Sequence, residues 1–144
     1  MQVEINKISE KKDEKAVIHI VTVTDEIQNA IDILKNDCLG IPVTNNSETL
    51  VCKLDKIYYV ESVDKHTYVY TKGNCYKTKY RLYELEDMLS VDFFRCSKSM
   101  ILNIRKIKSV KADFNGRMIA ELLNNERIII SRSYVKDLKR KLGL

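Results

Sequence analysis

The amino-terminal third of the chain carries two stretches in which apolar and polar positions alternate. Met1–Ile8 alternates loosely, whereas Ala16–Val23 alternates with mostly apolar residues on both faces. Alternation with a period of two is typical of a β-strand, and two apolar faces indicate a strand that is covered on both sides. The pattern therefore predicts two strands in this part of the chain.

A helix is predicted directly after the second of these strands. Thr24 or Asp25 can cap it, and the next apolar residues recur at the spacing of one buried helix face. Gly40 and Pro42 then end the helical unit, and the polar residues 44–48 are expected to form a connection.

Together these elements make up a small β-β-α extension over residues 1–45. A unit of this size is too small to be stable alone, so it must pack on the rest of the chain or on a second subunit. We therefore expect residues 1–45 to serve dimerisation or regulation and residues 46–144 to form a separate domain.

From Leu50 onwards the pattern changes to short apolar runs separated by polar turns. Leu82–Leu89 has helical spacing, and a last amphipathic helix follows Ser131–Ser133. The Asn115-Gly116 pair is a strong signal for a β-hairpin turn. The predicted strands are Leu50–Leu54, Lys56–Ser62, Thr67–Thr71, Cys75–Tyr80, Phe93–Cys96, Met100–Asn103, Ile107–Asp113, Arg117–Leu122 and Arg127–Ile130. Residues 46–144 should therefore form a mainly β domain with two short helices.

Charge is distributed unequally between the two parts of the chain. Residues 1–45 hold five Lys and eight Asp or Glu, a net charge of −3, whereas residues 46–144 hold twenty Lys or Arg and twelve acids, a net charge of +8. Such asymmetry indicates contact with nucleic acid, although excess lysine also keeps many proteins in solution. Charge alone leaves both interpretations open.

Several classes of protein find no support in the sequence. The four cysteines, Cys38, Cys52, Cys75 and Cys96, form no CxxC pair and have no histidine at ligand spacing, so no zinc site and no other cofactor is expected. No signal peptide and no apolar run long enough to span a bilayer is apparent, which indicates a cytoplasmic protein with reduced thiols. No nucleotide-binding, hydrolase or metalloprotease motif occurs, so an enzyme is not expected.

Five segments in order along the chain resemble the LytTR family of DNA-binding domains. The spacing between them matches the family over about 95 residues, from Lys56 onwards. One difference is that Ser97 stands where the family commonly has histidine. The resembling segments are Lys56–Ser62, followed by His66 and Tyr68; the helix LYELEDML at Leu82–Leu89; FFRCSKSMILN at Phe93–Asn103; Ile107; and ISRSY at Ile130–Tyr134.

This resemblance implies a fold, a function and partners. The expected fold is an elongated stack of small β-sheets in which loops, rather than a recognition helix, enter successive major grooves of double-stranded DNA. The chain resembles the stand-alone type of regulator, without a phosphoacceptor receiver domain. For that type we expect a small membrane protein, encoded nearby, that restrains the regulator. The small size of the amino-terminal extension and the two apolar faces of Ala16–Val23 separately predict a homodimer.

The resemblance also implies which residues contact DNA. His66, Lys98 and Arg132 carry donor groups suited to base edges and phosphates, and Ser97, Ser99 and Ser133 lie beside them. We call these six residues the recognition set. The sequence alone leaves three alternatives open. Arg95 is suited equally to a DNA contact and to a structural ion pair with an acid within the sheet. Arg132 could pair with Glu126 or Asp137, and the basic face of the last helix could be merely solvated.

Two other functions compete with DNA-binding regulation. One is a non-catalytic protein-interaction or sensory β-module whose positive charge only maintains solubility. The other is an RNA-binding β-domain, but the aromatic residues of Lys56–Ser62 and of Thr67–Thr71 do not match the aromatic spacing of the common RNA-binding sheets. Salt-dependent binding to duplex DNA distinguishes the three.

Overall fold

The computed structural model describes residues 1–10, 13, 15–34, 40–89 and 91–144. The chain divides into two compact units, Met1–Asn36 and Asp37–Leu144. The second unit contains all of the strands among the described residues.

The first unit contains helix α1, Asp25–Leu34, which confirms the predicted helix. Thr24 caps it, because its carbonyl accepts from the amide of Gln28 at 2.9 Å and its hydroxyl accepts from that of Ile27 at 3.3 Å.

The two predicted amino-terminal strands are wrong. The segments 1–8 and 16–23 form no strand, and side chains such as Val3 and Val21 are exposed. An alternating pattern gives a segment an apolar face, but it does not provide a neighbouring strand. Without such a neighbour the backbone N–H and C=O groups of a strand have no hydrogen-bond partners, and the strand is not stable. Of the predicted β-β-α extension, the structure therefore shows only the helix.

The second unit is built on a seven-stranded antiparallel sheet with the order β2-β1-β5-β4-β3-β7-β6. Its strands are β1 Gly40–Asn45, β2 Glu48–Lys53, β3 Tyr59–Val63, β4 His66–Tyr70, β5 Cys75–Thr78, β6 Phe93–Ser97 and β7 Met100–Asn103. A second antiparallel sheet has the order β10-β9-β8, with β8 Ile107–Ala112, β9 Met118–Leu122 and β10 Arg127–Ile130. Two helices, α2 Leu82–Met88 and α3 Arg132–Leu142, complete the unit. The prediction of a mainly β protein with short helices is confirmed.

The polar segment 44–48, which we expected to be a connection, is instead a tight β-hairpin. β1 pairs with β2 from Gly40 opposite Lys53 to Asn45 opposite Glu48. Asn46 and Ser47 make the turn with φ angles of 47° and 69°, the left-handed conformation that two-residue hairpins need. Gly40 and Pro42 therefore lie within a strand rather than ending a unit. The proline is tolerated because β1 pairs with β5 at one position only, Thr44 opposite Lys77.

Both faces of the large sheet are buried, which fixes the positions of its turns. One face supplies a core shared with the small sheet and α3: Tyr58, Tyr59, Phe94, Cys96, Leu102, Met118, Ala120, Leu122, Ile128, Ile130 and Leu138. The other face supplies a core shared with α2: Ile41, Val43, Cys52, Ile57, Val60, Val69, Leu82, Leu85, Phe93 and Ile101. Neighbouring residues such as Tyr59 and Val60 point to opposite cores, as the pleat of a strand requires. A shift of register would expose one of these faces, so the hairpins are held in place.

Among the described cysteines, none forms a disulfide. Cys52 and Cys96 are buried and Cys75 is exposed, all as free thiols, whereas Cys38 lies outside the described residues.

Candidate nucleic-acid interface

The turn between β3 and β4 presents His66. Asp64 and Lys65 form this turn with φ angles of 48° and 66°, and Val63 pairs with His66 across it. Two consecutive residues with positive φ match the right-handed twist of the flanking strands. His66 is exposed, and it is the first residue of β4, which therefore begins one residue before the predicted strand Thr67–Thr71.

The turn between β6 and β7 presents three more residues of the recognition set. Lys98 and Ser99 are exposed, and Ser97 is half-buried at the end of β6. The Ser97 hydroxyl accepts from the amide of Ser99 at 3.2 Å, and the two hydroxyl oxygens lie 3.4 Å apart. The serines therefore help to close the turn from which Lys98 projects.

Arg95 of β6 holds the β6–β7 turn in place through hydrogen bonds to its main chain. Its Nε donates to the carbonyl of Ser97 at 3.0 Å and its Nη2 to the carbonyl of Lys98 at 2.5 Å. Its Nη1 forms an ion pair with Glu86 of α2 at 2.8 Å. A bulge between Arg95 and Ser97 shifts the register of β6 against β7 at this point. Of the two roles open from the sequence, the structure thus shows the structural one for Arg95.

The two turns lie side by side at one end of the large sheet. β3 and β7 are antiparallel neighbours, with Glu61 opposite Met100. Just beyond that pair, the amide of Ser62 donates to the carbonyl of Ser99 at 2.8 Å. The β6–β7 turn is therefore hydrogen-bonded to β3, the strand that leads into the β3–β4 turn.

The third part of the recognition set begins helix α3. The amide of Ser131, the residue before the helix, donates to the carbonyl of Cys96 at 2.9 Å. Arg132 and Ser133 follow as the first two residues of α3, and both are exposed. Because Cys96 directly precedes Ser97, the start of α3 lies next to the β6–β7 turn. The structure thus brings all three predicted segments to one end of the sheet.

Arg132 is free of the ion pairs that the sequence left open. The carboxylate of Glu126 accepts instead from the hydroxyl of Tyr59 at 2.7 Å, and Asp137 pairs with Arg140. The stem of Arg132 lies against the turn between β8 and β9, where a Cβ added at Gly116 would be 3.0 Å from its Cδ. Asn115 and Gly116 have φ angles of 57° and 76°, which confirms the hairpin turn predicted for this pair.

A basic groove runs between the β8–β9 turn and α3, and the sequence analysis did not identify it. It has a volume of about 490 Å³ and is lined by Gly116, Arg132, Val135, Lys136, Lys139, Arg140 and Leu144. Four of these seven residues are cationic and none is acidic. Helical spacing predicted the basic face of α3, but nothing local to Gly116 indicates that the β8–β9 turn would form the opposite wall.

The described part of the chain lacks two other kinds of feature. It contains no group of three or more His, Cys, Asp or Glu side chains that could hold a metal ion. No helix in it is long and apolar enough to cross a membrane.

Comparison with known proteins identifies the family. The family of LytTr DNA-binding domains matches residues 47–143. The chain belongs to the LytTR family. The family consists of DNA-binding domains, not of enzymes, and this favours DNA binding over the interaction module that the sequence left open.

A solved structure and several relatives share the LytTR domain. The LytTr DNA-binding domain described for a methyl-accepting/DNA response regulator of Bacillus cereus is 30% identical, with a TM-score of 0.68, and the match covers 72% of this chain and 96% of that domain. The sensory transduction protein LytT of Enterococcus faecalis is 30% identical over 73% of this chain and 44% of its own length. The transcriptional regulatory protein YpdB of Escherichia coli K12 is 30% identical over 76% of this chain and 45% of its own length.

The chain thus spans less than half of the length of these two regulators. The uncharacterized HTH-type transcriptional regulator SAB2242 of Staphylococcus aureus is also 30% identical, and the match covers 88% of this chain and 88% of that regulator. Within the described residues of the present chain, no two helices are consecutive elements, so this part contains no helix-turn-helix.

Proposed function

We propose that this protein is a transcription regulator that recognises specific double-stranded DNA through three backbone segments rather than through a recognition helix. The observation that carries the proposal is the pair of hydrogen bonds from Ser62 to Ser99 and from Ser131 to Cys96. They hold the β3–β4 turn, the β6–β7 turn and the start of α3 together. The exposed donor groups of His66, Lys98 and Arg132 then project from one end of the sheet.

Each residue of the recognition set has chemistry suited to a different part of DNA. Lys98 and Arg132 donate to the O6 and N7 acceptors of guanine in the major groove. His66 donates from a ring nitrogen to a base or a phosphate. Ser97, Ser99 and Ser133 donate to phosphate oxygens. The Ser97 and Ser99 hydroxyl oxygens lie 3.4 Å apart, so at most one of their two protons is used between them and the other is available for phosphate.

The groove beside α3 supplies attraction that does not depend on sequence. Lys136, Lys139 and Arg140 lie along one wall, and Arg132 extends from the recognition set into the same groove. Phosphates bound there would displace counterions, so that affinity falls steeply as salt rises. The net charge of +8 over residues 46–144 supports the same behaviour.

The test is a titration of cognate and scrambled duplexes with alanine variants. Lys98→Ala and Arg132→Ala should each weaken binding to the cognate duplex by about 1–3 kcal/mol and weaken binding to the scrambled duplex less. His66→Ala should have a smaller effect, which depends on pH near the usual imidazole range of about 6.5. Lys139→Ala is the matched control, because a charge that faces phosphate should weaken binding to both duplexes about equally.

Two outcomes would contradict the proposal. One is cognate binding by Lys98→Ala and Arg132→Ala that equals wild type. The other is an affinity for duplex DNA that changes by less than about tenfold between low and moderate salt, since several phosphate contacts require a larger loss.

We also propose that the protein acts as a homodimer on DNA and that the first unit contributes to the dimer. The support is a set of apolar side chains that are exposed in that unit: Val3, Ile5, Ile8, Val17, Val21 and Val23. A partner that covered them would gain hydrophobic free energy. Light scattering on the full chain and on a chain lacking residues 1–36 tests this. Two monomeric species with equal operator affinity would contradict it.

Cytoplasmic location and control by a membrane protein complete the proposal. The resemblance to stand-alone LytTR regulators supports both. Fractionation of cells and co-purification with membranes test this part. A regulator that never associates with membranes, in a genome without a neighbouring membrane-protein gene, would contradict it.

A further inference from the structure

A second groove lies at the end of the large sheet opposite to the recognition set. The β4–β5 turn forms one side of it, and β4 leads from His66 at one end of the sheet to this turn at the other. The rest is formed by Val43 of β1, by residues 50–53 of β2, by Lys56 and Tyr58 just before β3, by Tyr76 of β5, and by Lys106 after β7. The groove has a volume of about 530 Å³, within the roughly 300–1,000 Å³ that small-molecule sites occupy.

The floor of this groove is apolar. Val43, Cys52 and Tyr58 are buried there, and Leu50 and Tyr76 are half-buried beside them. Burial raises the pKa of the Cys52 thiol, with a smaller contribution from the nearby charge of Asp55, so the thiol stays neutral. An apolar ligand body would find a dry, uncharged surface here.

The rim of the groove is cationic. Lys53, Lys56, Lys72 and Lys106 line it, and no aspartate or glutamate does. Among the described residues, none of the four lysines lies within ion-pair distance of a carboxylate, although Lys106 Nζ lies 5.1 Å from the centre of the Tyr58 ring. The β4–β5 turn is held by the Thr71 amide and hydroxyl, which both donate to the Asn74 carbonyl, at 2.9 and 3.3 Å.

We propose that this groove binds an amphipathic organic anion. Its apolar body would pack against Val43, Leu50 and Tyr76, and its carboxylate, sulfonate or phosphate group would lie among the lysine ammonium groups. Charge complementarity carries the argument, because four cations surround an apolar floor without an acidic neighbour in the lining. DNA is a poorer occupant, since a phosphate backbone needs no apolar floor and the recognition set lies at the other end of the sheet. The proposal does not depend on DNA binding.

Anilinonaphthalene sulfonate is a suitable probe, because its fluorescence rises in apolar surroundings and its sulfonate supplies the anion. Its matched analogue is phenylnaphthylamine, which has the same rings without the sulfonate. We expect the full-length protein to bind the sulfonate dye more tightly than the neutral analogue. In amide NMR spectra, the dye should shift Thr71–Asn74 and Lys53 and leave Lys98 and Ser99 unshifted.

The deciding comparison uses two charge reversals. Lys72→Glu should weaken binding of the sulfonate dye by about tenfold, because an ammonium group at the rim becomes a carboxylate close to the ligand charge. Phenylnaphthylamine binding should not change. Lys111→Glu makes the same change in net charge on β8, away from the groove, and should leave both dyes unaffected.

Three results would overturn the proposal. Equal weakening by Lys72→Glu and Lys111→Glu would show that only net charge matters. Amide shifts confined to the basic groove beside α3 would place the dye elsewhere. Displacement of the dye by a scrambled DNA duplex would show that the lysines serve DNA phosphates instead.

Discussion

Arg95 offers the sharpest test of how this chain positions its contact residues. The side chain is only 25% exposed, and it donates to the carbonyls of both Ser97 and Lys98. A hydrogen bond from a charged donor contributes roughly 1.5–3 kcal/mol when buried, and the ion pair with Glu86 at the surface adds at most about 1 kcal/mol. Because the side chain is partly exposed, its hydrogen bonds contribute less than these values. We therefore expect Arg95→Gln to destabilise the ordered β6–β7 turn by about 1–2 kcal/mol.

This loss should appear as weaker DNA binding although Arg95 itself contacts no DNA in our proposal. The binding-competent turn becomes a smaller fraction of the ensemble, so the apparent Kd on the cognate duplex should rise, by at most about five- to thirtyfold, because it scales inversely with that fraction. Arg95→Lys should weaken binding almost as much, since a lysine keeps the charge but cannot span both carbonyls and Glu86. Faster hydrogen exchange at the Ser99 amide should accompany both variants.

The control is Arg105→Gln, which removes one positive charge from an exposed ion pair with Asp92. It should change DNA affinity by less than about threefold and leave the Ser99 amide unaffected. The reasoning would be refuted if Arg95→Lys bound DNA like wild type while Arg95→Gln and Arg105→Gln were weakened equally. That pattern would mean that Arg95 acts only through its charge.

Two further predictions concern stability. Asn103 is buried, donates to the Ile57 carbonyl at 2.8 Å and accepts from the Arg105 amide at 3.0 Å, so Asn103→Ala should lower the free energy of unfolding by about 1–3 kcal/mol in urea titrations. Asn45→Ala, at an exposed position of β1, should stay within about 0.5 kcal/mol of wild type, and equal losses would contradict this role for Asn103. Burial raises the pKa of the Cys96 thiol to about 12 in the folded chain. As pH rises above about 9, the thiol therefore ionises in the unfolded chain before it does so in the folded chain, and the free energy of unfolding should decrease. Cys96→Ala should flatten that decrease between about pH 9 and pH 12, and an unchanged slope would refute the assignment.

The sequence predicted the parts of the fold that depend on local pattern. Alternation located nine strands of the second unit to within a few residues, and the Asn115-Gly116 pair located a turn whose φ angles match. The segment Phe93–Asn103 carries the family motif, and its two strands contribute side chains to both buried cores. These signals are local, so a single sequence contains them.

The errors and omissions arose where a partner decides the structure. The first unit alternates like strands, but no described strand pairs with it. The polar segment 44–48 is a hairpin because β1 has β2 and β5 as neighbours. The hydrogen bond from Arg95 to Lys98 and the approach of Gly116 to Arg132 depend on a bulge and on a packing contact between distant elements. Such contacts leave no periodic trace in the sequence.

The structure separates the residues that position the interface from those that would contact DNA. Main-chain atoms of Ser62, Cys96 and Ser131 make the bonds that join the three segments, and these bonds do not depend on which side chains project. His66, Lys98 and Arg132 are exposed and belong to neither buried core. Side chains at these positions can therefore change without loss of the fold, as surface substitutions usually do. Ser97 differs from these three, because its hydroxyl accepts from the Ser99 amide and helps to close the turn that presents Lys98. In the proposed interface, a change in DNA preference thus requires only a change in the exposed side chains of the two turns and of the start of α3.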